Sequence, residues 1–226
     1  MPQEDSEAEY HILIFSKTDG FRHDSIEPGI EAIKKLAEEN NVNTVATEDA
    51  TDFSPENLDR FDTIIFLNTT ETVFNDEQRA AFKAYIQNGG GFAGIHSATD
   101  TEYDWEWYNK LAGAYFDGHP PVQPAILDVV HKGHPATRML PEEWGKTDEW
   151  YNFRDFNEDV TLLMTIRDDS YQGSGHTDFH PMSWFHEYDG GRAFYTGLGH
   201  TIESYSDELF LQHIWGGIEY SMGISN

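Results

Sequence analysis

Residues 89–98 read GGGFAGIHSA: three glycines, an apolar run over 91–95, and then His96 in a turn of small residues. Glycine ends helices, and a short apolar run is typical of a strand buried on both faces of a parallel sheet. A tight turn of small residues after such a strand is how α/β enzymes expose a reactive side chain. The stretch therefore predicts an α/β fold that presents His96 as a candidate acid, base or metal ligand.

The segments before this stretch alternate between predicted strands and predicted helices. Apolar runs predict strands over 11–15, 44–47 and 63–67, and helical spacing of apolar residues predicts helices over 25–40 and 75–88. Such alternation favours a mostly parallel central sheet with helices on both faces, as in flavodoxin-like proteins. Because ligands bind beyond the carboxyl ends of the strands in such sheets, we expect the functional residues in the loops that follow the strands.

The second half of the chain is predicted to add a β-rich hairpin region. Two apolar segments, 182–187 and 193–197, flank residues 189–191 (DGG), a sequence typical of a hairpin turn. Further strands are expected over 125–130 and 160–166, and helices over 105–111 and 207–221. No linker or repeat separates these segments, so we expect one domain over 10–223, preceded by an acidic disordered leader over 1–9.

The charge of the chain limits its partners. Fourteen Lys and Arg residues stand against 41 Asp and Glu, which gives a formal net charge of −27. Proteins that bind nucleic acid need a basic surface, so we expect no nucleic-acid partner. The acidic surface is either a solvated coat that maintains solubility or an adaptation to high salt.

Two absences exclude further classes of function. The chain has no cysteine, which removes a thiol nucleophile, a disulfide framework and a cysteine-ligated zinc site. No apolar run approaches the roughly 20 residues of a membrane span, so we expect no membrane insertion. The cytoplasm is the default location, and the periplasm or secretion is the alternative if a signal peptide has been removed.

The loop after the first predicted strand concentrates functional side chains. Lys17, Phe21, Arg22 and His23 all lie within it. In a chain with few basic residues, Lys17 and Arg22 at this place favour contact with a carboxylate or with substrate oxygens. The alternative is a structural loop in which Arg22 pairs with a nearby acid such as Asp24.

A second group of candidates lies at 147–153 (TDEWYNF), where acids adjoin aromatic residues. A carboxylate against apolar rings is expected to have a raised pKa, so Glu149 would act as an acid or base near neutral pH. Trp150 would stack on a sugar ring. The alternative is an edge strand whose acids are solvated.

Histidines near two later predicted strands complete the candidates. His180 lies just before Trp184, and His200 follows two glycines that would let the backbone approach a ligand. His96, His180 and His200 are the expected ligands if the site holds a divalent metal ion. No glycine-rich phosphate motif follows the first strand, so we expect no nucleotide cofactor.

Several segments, read in order, resemble the trehalose-utilisation (ThuA-like) family, whose fold is similar to that of class I glutamine amidotransferases. The matching segments are 17–23 (KTDGFRH), 89–100 (GGGFAGIHSATD), 104–108 (DWEWY), 111–116 (LAGAYF), 119–120 (HP), 134–137 (HPAT), 148–153 (DEWYNF), 180–181 (HP) and 191–200 (GRAFYTGLGH). The resemblance implies that His96 occupies the turn that bears cysteine in the amidotransferases, so an ordinary glutaminase is excluded. It also implies a role with trehalose and related disaccharides, through 3-keto sugars made by partner dehydrogenases.

These lines together predict an enzyme of carbohydrate catabolism that acts on a disaccharide or glycoside, or on its 3-keto derivative, by general acid/base chemistry. The expected catalytic residues are His96, Glu149, His200 and His23. The expected substrate-binding residues are Lys17, Phe21, Arg22, Asp100, Trp150, His180 and Trp184. A non-catalytic sugar-binding module and a metal-dependent hydrolase are the alternatives. A homodimer and a functional partnership with a sugar 3-dehydrogenase are further expectations.

Overall fold

The structure is a computed structural model that describes residues 10–176 and 179–225. The acidic leader expected over 1–9 lies outside the described residues. The strands are β1 (Tyr10–Phe15), β2 (Val42–Thr47), β3 (Thr63–Leu67), β4 (Gly91–Ile95), β5 (Tyr115–Phe116), β6 (Gln123–Val129), β7 (Glu143–Asp148), β8 (Phe153–Arg154), β9 (Thr161–Ile166), β10 (Pro181–Tyr188) and β11 (Gly191–Thr196). The α-helices are α1 (Ile26–Glu39), α2 (Pro55–Leu58), α3 (Asp76–Gln87), α4 (Glu106–Ala112) and α5 (Glu208–Ser221).

Nine of the strands form one sheet in the order β2-β1-β3-β4-β11-β10-β9-β6-β7. The first five are parallel neighbours, and the remaining four continue the sheet by antiparallel pairing. Only β10 and β6 therefore run against the other seven strands of this sheet. The chain is an α/β protein with a large, mostly parallel central sheet.

The hairpin expected in the second half is an integral part of this sheet. Strands β10 and β11 pair antiparallel across the turn at Asp189 and Gly190, and β11 also pairs in parallel with β4. The hairpin is therefore not an addition beside the parallel sheet, because its second strand extends the parallel half. The described residues also contain one small separate pair, β5 with β8.

Helices cover both faces of the sheet, as alternating residues of β4 show. The ring of Phe92 lies 6.3 Å from that of Phe82 in α3 and 6.0 Å from that of Tyr108 in α4. The preceding residue, Gly91, faces the other way, where a Cβ would lie 2.2 Å from the carbonyl oxygen of Ser221 in α5. Successive strand residues point to opposite faces, so α5 lies across the sheet from α3 and α4. None of the helices in the described ranges has the length and apolar character of a membrane span.

This architecture places several loops at one edge of the sheet. The loops after β1, β4 and β11 leave the carboxyl ends of parallel strands, and the residues after β7 leave a strand of the same direction. Side chains from these four loops can therefore meet. The edge is the one at which α/β sheets bind ligands.

Candidate functional site

The chain turns sharply where β4 ends, at His96. The residue has a φ of 52°, in the left-handed region that a non-glycine residue adopts only when its surroundings hold it there. Its carbonyl oxygen accepts a hydrogen bond from the hydroxyl of Tyr195 at 2.7 Å. Two residues earlier, a Cβ on Gly94 would lie 3.0 Å from Tyr195 and 3.1 Å from Ala98. The small residues that the sequence shows around His96 are therefore a packing requirement of this turn.

Hydrogen bonding fixes which nitrogen of His96 is free. Its Nδ1 lies 2.9 Å from the carbonyl oxygen of Gly197, and because a carbonyl only accepts, Nδ1 must carry the hydrogen. Nε2 of the neutral ring then offers a lone pair. The ring is fully buried and packs against Tyr151, with 4.1 Å between ring centroids.

Four side chains converge around that lone pair. His23, His96, Glu149 and His200 each offer one nitrogen or oxygen, and these atoms all lie within 4.8 Å of one another; we call them the His–Glu cluster. Glu149 Oε2 lies 3.4 Å from His96 Nε2 and 3.1 Å from His200 Nδ1, and those two nitrogens are 3.3 Å apart. The structure thus brings together the four residues expected to be catalytic, from the loops after β1, β4, β7 and β11.

Asp148, the last residue of β7, positions two members of the cluster. Its fully buried carboxylate accepts hydrogen bonds from the backbone N–H groups of Glu149 at 2.9 Å, Gly199 at 3.0 Å and His200 at 3.1 Å. It also accepts one from the hydroxyl of Ser204 at 3.2 Å. These bonds tie the loop after β7 to the loop after β11 and hold Glu149 and His200 together.

The charge state of Glu149 differs from the sequence expectation. Burial acts to raise its pKa, but the close contacts with His200 and His96, and the positive charge that these rings carry when protonated, outweigh burial and hold the pKa below its usual range. The raised pKa expected from neighbouring aromatic rings is therefore wrong, because imidazoles rather than apolar groups face the carboxylate. Glu149 is ionised at neutral pH.

Two of the histidines differ in their protonation. Burial, followed by the charges of His96 and His200, lowers the pKa of His23 to about 2, so this ring is neutral. Burial also acts to lower the pKa of His200, but its hydrogen bond with Glu149 and the charge of that carboxylate raise the pKa above the usual value. The cluster therefore combines a neutral imidazole, an ionised carboxylate and a ring that readily takes a proton.

The cluster opens to solvent on one side. The side chain of His200 is 24% exposed, and that of His119 is 40% exposed, with its Nδ1 3.0 Å from Glu149 Oε1. Phe21 is 66% exposed, and its ring meets the ring of His23 edge-on at 4.8 Å. These three residues form the outer wall, and Phe21 offers a free aromatic face beside the cluster.

Asp100 lies in the same neighbourhood. Burial is the main cause that raises its pKa to about 6, against a hydrogen bond from the hydroxyl of Tyr103, and the charges of His96 and His119 act on it as well. A carboxyl group with such a pKa exchanges a proton near neutral pH. Among the described residues, no hydrogen bond or ion pair joins the Asp100 side chain to the His–Glu cluster, so its assignment to the site stays a prediction.

Three expected site residues instead belong to the core. Trp150 and Trp184 are buried, and their indole N–H groups donate to the carbonyl oxygens of Gln123 and Ala112, each at 2.8 Å. His180 has both ring nitrogens engaged, at 2.7 Å from the carbonyl oxygen of Tyr151 and 2.6 Å from the hydroxyl of Tyr171. The two tryptophans cannot stack on a sugar, and His180 has no nitrogen left for a metal.

The two cations of the first loop are also engaged elsewhere. Lys17 donates through Nζ to the carbonyl oxygen of Val73 at 2.8 Å. Arg22 forms ion pairs with Glu27 at 2.6 Å and Glu48 at 2.7 Å. The structural alternative for Arg22 therefore applies, although its partners are these two glutamates rather than Asp24.

Sequence reasoning did not assign roles to Asp148, His119 and Tyr151. Asp148 directly precedes Glu149, and this adjacency was the available signal for a positioning carboxylate. The Gly-His-Pro-Pro sequence around His119 gives no local signal for its contact with Glu149. That contact forms only because loops that are distant in sequence meet in the fold.

The fold and the cluster together define an α/β protein with a buried histidine–carboxylate centre at the carboxyl edge of its sheet. The family model ThuA, described as trehalose utilisation, matches residues 11–221. The chain therefore belongs to the ThuA family. The family description suggests a role in carbohydrate metabolism.

Solved structures share this fold. A ThuA-like protein from Bacteroides uniformis matches with a TM-score of 0.81 at 23% identity, over 98% of this chain and 95% of that one. Another, from Parabacteroides merdae, matches with a TM-score of 0.76 at 19% identity, over 94% and 90% of the two chains. A β-galactosidase from Bacillus circulans sp. alkalophilus matches with a TM-score of 0.62 at 11% identity, over 97% of this chain but 32% of its own. Curated proteins give no match.

Proposed function

We propose that this protein is an enzyme of carbohydrate metabolism that acts on a disaccharide or glycoside, or on its 3-keto derivative, at the His–Glu cluster. The observation that carries the proposal is the convergence of His96 Nε2, His200 Nδ1 and Glu149 Oε2, with every separation between 3.1 and 3.4 Å. Groups able to accept and donate protons at one point are what such a reaction requires. The family description supports the substrate class.

The chemistry of a 3-keto sugar suits these groups. A carbonyl group acidifies the neighbouring C–H bond, so a base removes that proton and the bonding electrons move to the carbonyl oxygen. Glu149 and His96 are the bases we assign, and His200 would donate a proton to the oxygen. The enediol that results can return its proton at another carbon, which is isomerisation, or expel the glycosidic oxygen, which is elimination.

The turn at His96 supports a relation to class I glutamine amidotransferases. A left-handed residue at the end of β4, with small neighbours, is the geometry by which α/β enzymes present a nucleophile. Here an imidazole stands at that place, and the sequence has no cysteine. We propose that this chain uses the same turn for proton transfer or metal binding in place of a thiol.

A non-catalytic sugar-binding module is the second candidate. It is favoured by Phe21, whose exposed ring beside His23 would stack on a sugar whether or not a reaction follows. The two candidates differ in the effect of His96→Gln. A binding module would keep its affinity in calorimetry, whereas the enzyme would lose its turnover.

The experiment that tests the proposal is incubation of the purified protein with a panel of disaccharides and their 3-keto forms, followed by mass spectrometry. We expect at least one 3-keto substrate to be converted, and the conversion to be lost in His96→Gln. Gain of one water would indicate hydrolysis, and separation into two fragments without water would indicate elimination. A product of unchanged mass with a different chromatographic retention would indicate isomerisation. No conversion of any sugar, or full conversion by His96→Gln, would contradict the proposal.

The expected partners follow from this proposal. A sugar 3-dehydrogenase would supply the keto substrate. The homodimer expected from the sequence stays a prediction. With 41 acidic residues the surface does not suit nucleic acid, whereas a neutral sugar tolerates it. Adaptation to high salt would appear as a melting temperature that rises steeply with molar KCl.

A further inference from the structure

The spacing within the His–Glu cluster matches the ligand spacing of a metal ion. A tetrahedral zinc ion with ligand bonds of about 2.0–2.1 Å holds its ligand atoms about 3.3 Å apart. The triangle of His96 Nε2, His200 Nδ1 and Glu149 Oε2 has edges of 3.4, 3.1 and 3.3 Å. All three atoms therefore stand at distances that one ion bridges without moving the loops.

Hydrogen bonds between neutral rings do not satisfy this triangle. Nδ1 of His96 carries the hydrogen that faces Gly197, so Nε2 directs a lone pair toward Glu149 Oε2, which also holds only lone pairs. His200 Nδ1 has at most one hydrogen to share between these two acceptors. A single cation at the centre would satisfy all three atoms at once.

His23 supplies the fourth position. It offers a nitrogen within the 4.8 Å that encloses the whole cluster. The side chain is buried, and among the described residues its Nδ1 has no hydrogen-bond partner. A buried imidazole nitrogen without a partner is costly unless a ligand completes it.

The groups around the cluster orient these ligands as in metal sites. The ring of His96 is fixed by the carbonyl oxygen of Gly197, which leaves Nε2 for the metal. His119 contacts Oε1 of Glu149 at 3.0 Å, which leaves Oε2 for the metal. Asp148 holds the backbone of Glu149 and His200.

We infer that the cluster binds one divalent first-row transition-metal ion through His96 Nε2, His200 Nδ1, Glu149 Oε2 and a nitrogen of His23. Imidazole donors suit zinc, iron, cobalt or nickel, whereas magnesium and calcium prefer all-oxygen sites. His180, expected from the sequence as a third histidine ligand, is replaced by His23. The metal site stands on geometry alone, and its catalytic use rests on the proposed function. With the ion bound, His96, His200 and Glu149 would hold it and would not transfer protons themselves. The ion would then polarise the carbonyl or hydroxyl oxygen of the sugar.

The test is metal binding by the full chain. The protein is dialysed against EDTA, and then titrated with ZnCl₂ and separately with CoCl₂, by calorimetry and by visible absorption of the cobalt form. We expect one ion per chain, with affinity reduced at least about 100-fold in His200→Ala and in Glu149→Gln. The control is His131→Ala, which removes a histidine at the opposite edge of the sheet and should bind as the wild type does.

Two outcomes would overturn the inference. One is uptake of much less than one ion per chain for both metals, and the other is equal loss of affinity in His131→Ala and the cluster variants. Circular dichroism of each variant checks that it is folded. Metal binding without conversion of any sugar would contradict the proposed function alone, and conversion that survives complete metal removal would contradict the metal's catalytic role alone.

Discussion

Buried histidines occupy two regions of this molecule, and they differ in what their nitrogens face. In the antiparallel half and in α5, His180, His186 and His213 face oxygens of the protein: carbonyl oxygens of Tyr151, Leu111 and Ala136 lie 2.7, 2.9 and 2.8 Å away. At the carboxyl edge of the parallel strands, the cluster histidines face one another and a carboxylate. Burial is common to both regions, so what the nitrogens face, rather than burial, distinguishes His180, His186 and His213 from the cluster histidines.

The two regions differ because the hydrogen-bonding groups of the core histidines are satisfied. A core histidine that donates to a backbone carbonyl oxygen stabilises the fold. In the cluster, His96 Nε2 and Glu149 Oε2 direct lone pairs at each other, which is unfavourable until a proton, an ion or a substrate arrives. Such a cost in stability is what the proposed function of the cluster predicts, since functional sites commonly break the rules that stabilise a core.

Replacing a cluster histidine is the strongest way to break this comparison. His96→Gln should lower kcat/KM on the converted sugar at least about 100-fold, because loss of a positioned acid, base or ligand costs that much. Its melting temperature should change by only a few degrees. Steady-state kinetics with thermal unfolding checks both, and near wild-type turnover would place the reaction elsewhere.

The pH dependence of stability sharpens the comparison. Burial lowers the pKa of His213 and of His180 to about 4, while in the unfolded chain both titrate near 6.5. Because each pKa is lower in the folded protein, the unfolded chain binds more protons than the folded chain between about pH 4 and pH 6.5. The contribution of these histidines to the free energy of unfolding is therefore fully present above about pH 6.5 and is lost as the pH falls toward 4.

Urea unfolding of the wild type and of His213→Asn between pH 7 and pH 4 measures this effect. Asn keeps a donor for the carbonyl oxygen of Ala136 but does not titrate. The free energy of unfolding of the wild type should fall as the pH drops, and the slope should be shallower in His213→Asn. Parallel slopes would show that burial of this histidine has no such effect.

A core histidine should affect stability and not chemistry. His180→Ala leaves the carbonyl oxygen of Tyr151 without its partner, which should lower the free energy of unfolding by about 1–3 kcal/mol. Turnover per folded molecule should stay within about twofold of the wild type. A large loss of kcat in fully folded His180→Ala would show that His180 contributes to the reaction.

The smallest expected effects distinguish the exposed ring of Phe21, which is expected to contact the sugar, from the buried ring of Trp184, which is not. Phe21→Ala should raise KM about 2- to 12-fold, which corresponds to about 0.5–1.5 kcal/mol of ring stacking, with an unchanged melting temperature. Trp184→Phe should leave KM unchanged and lower stability by about 1 kcal/mol, because it removes the hydrogen bond to Ala112. The reverse pattern would show that Trp184 contacts the sugar.

Much of the fold could be predicted because local signals agree with the final packing. The apolar run at 91–95 is strand β4, and Asn75 with Gln78 forms the capping box that begins α3. Strand β7 was not predicted. Its inward-facing positions include Lys146 and Asp148, which are buried polar residues, so the strand lacks the apolar alternation that identifies others.

The site could be predicted only in part, for a related reason. His96 and Glu149 were identifiable from a strand end and an acidic motif, since such signals are local. Trp150 is adjacent to Glu149 in sequence, yet its side chain is buried in the core, where its indole N–H donates to the carbonyl oxygen of Gln123. The contact of His23 with the cluster depends on strand order, which no local pattern records.

The most direct test of the central claim is to locate a bound metal in the two histidine regions. Crystals of the cobalt-loaded protein, measured on both sides of the cobalt absorption edge, give an anomalous difference map. We predict one peak per chain, within bonding distance of His96 Nε2, His200 Nδ1 and Glu149 Oε2. A cluster without a peak, or a peak beside His180 or His213, would contradict the account.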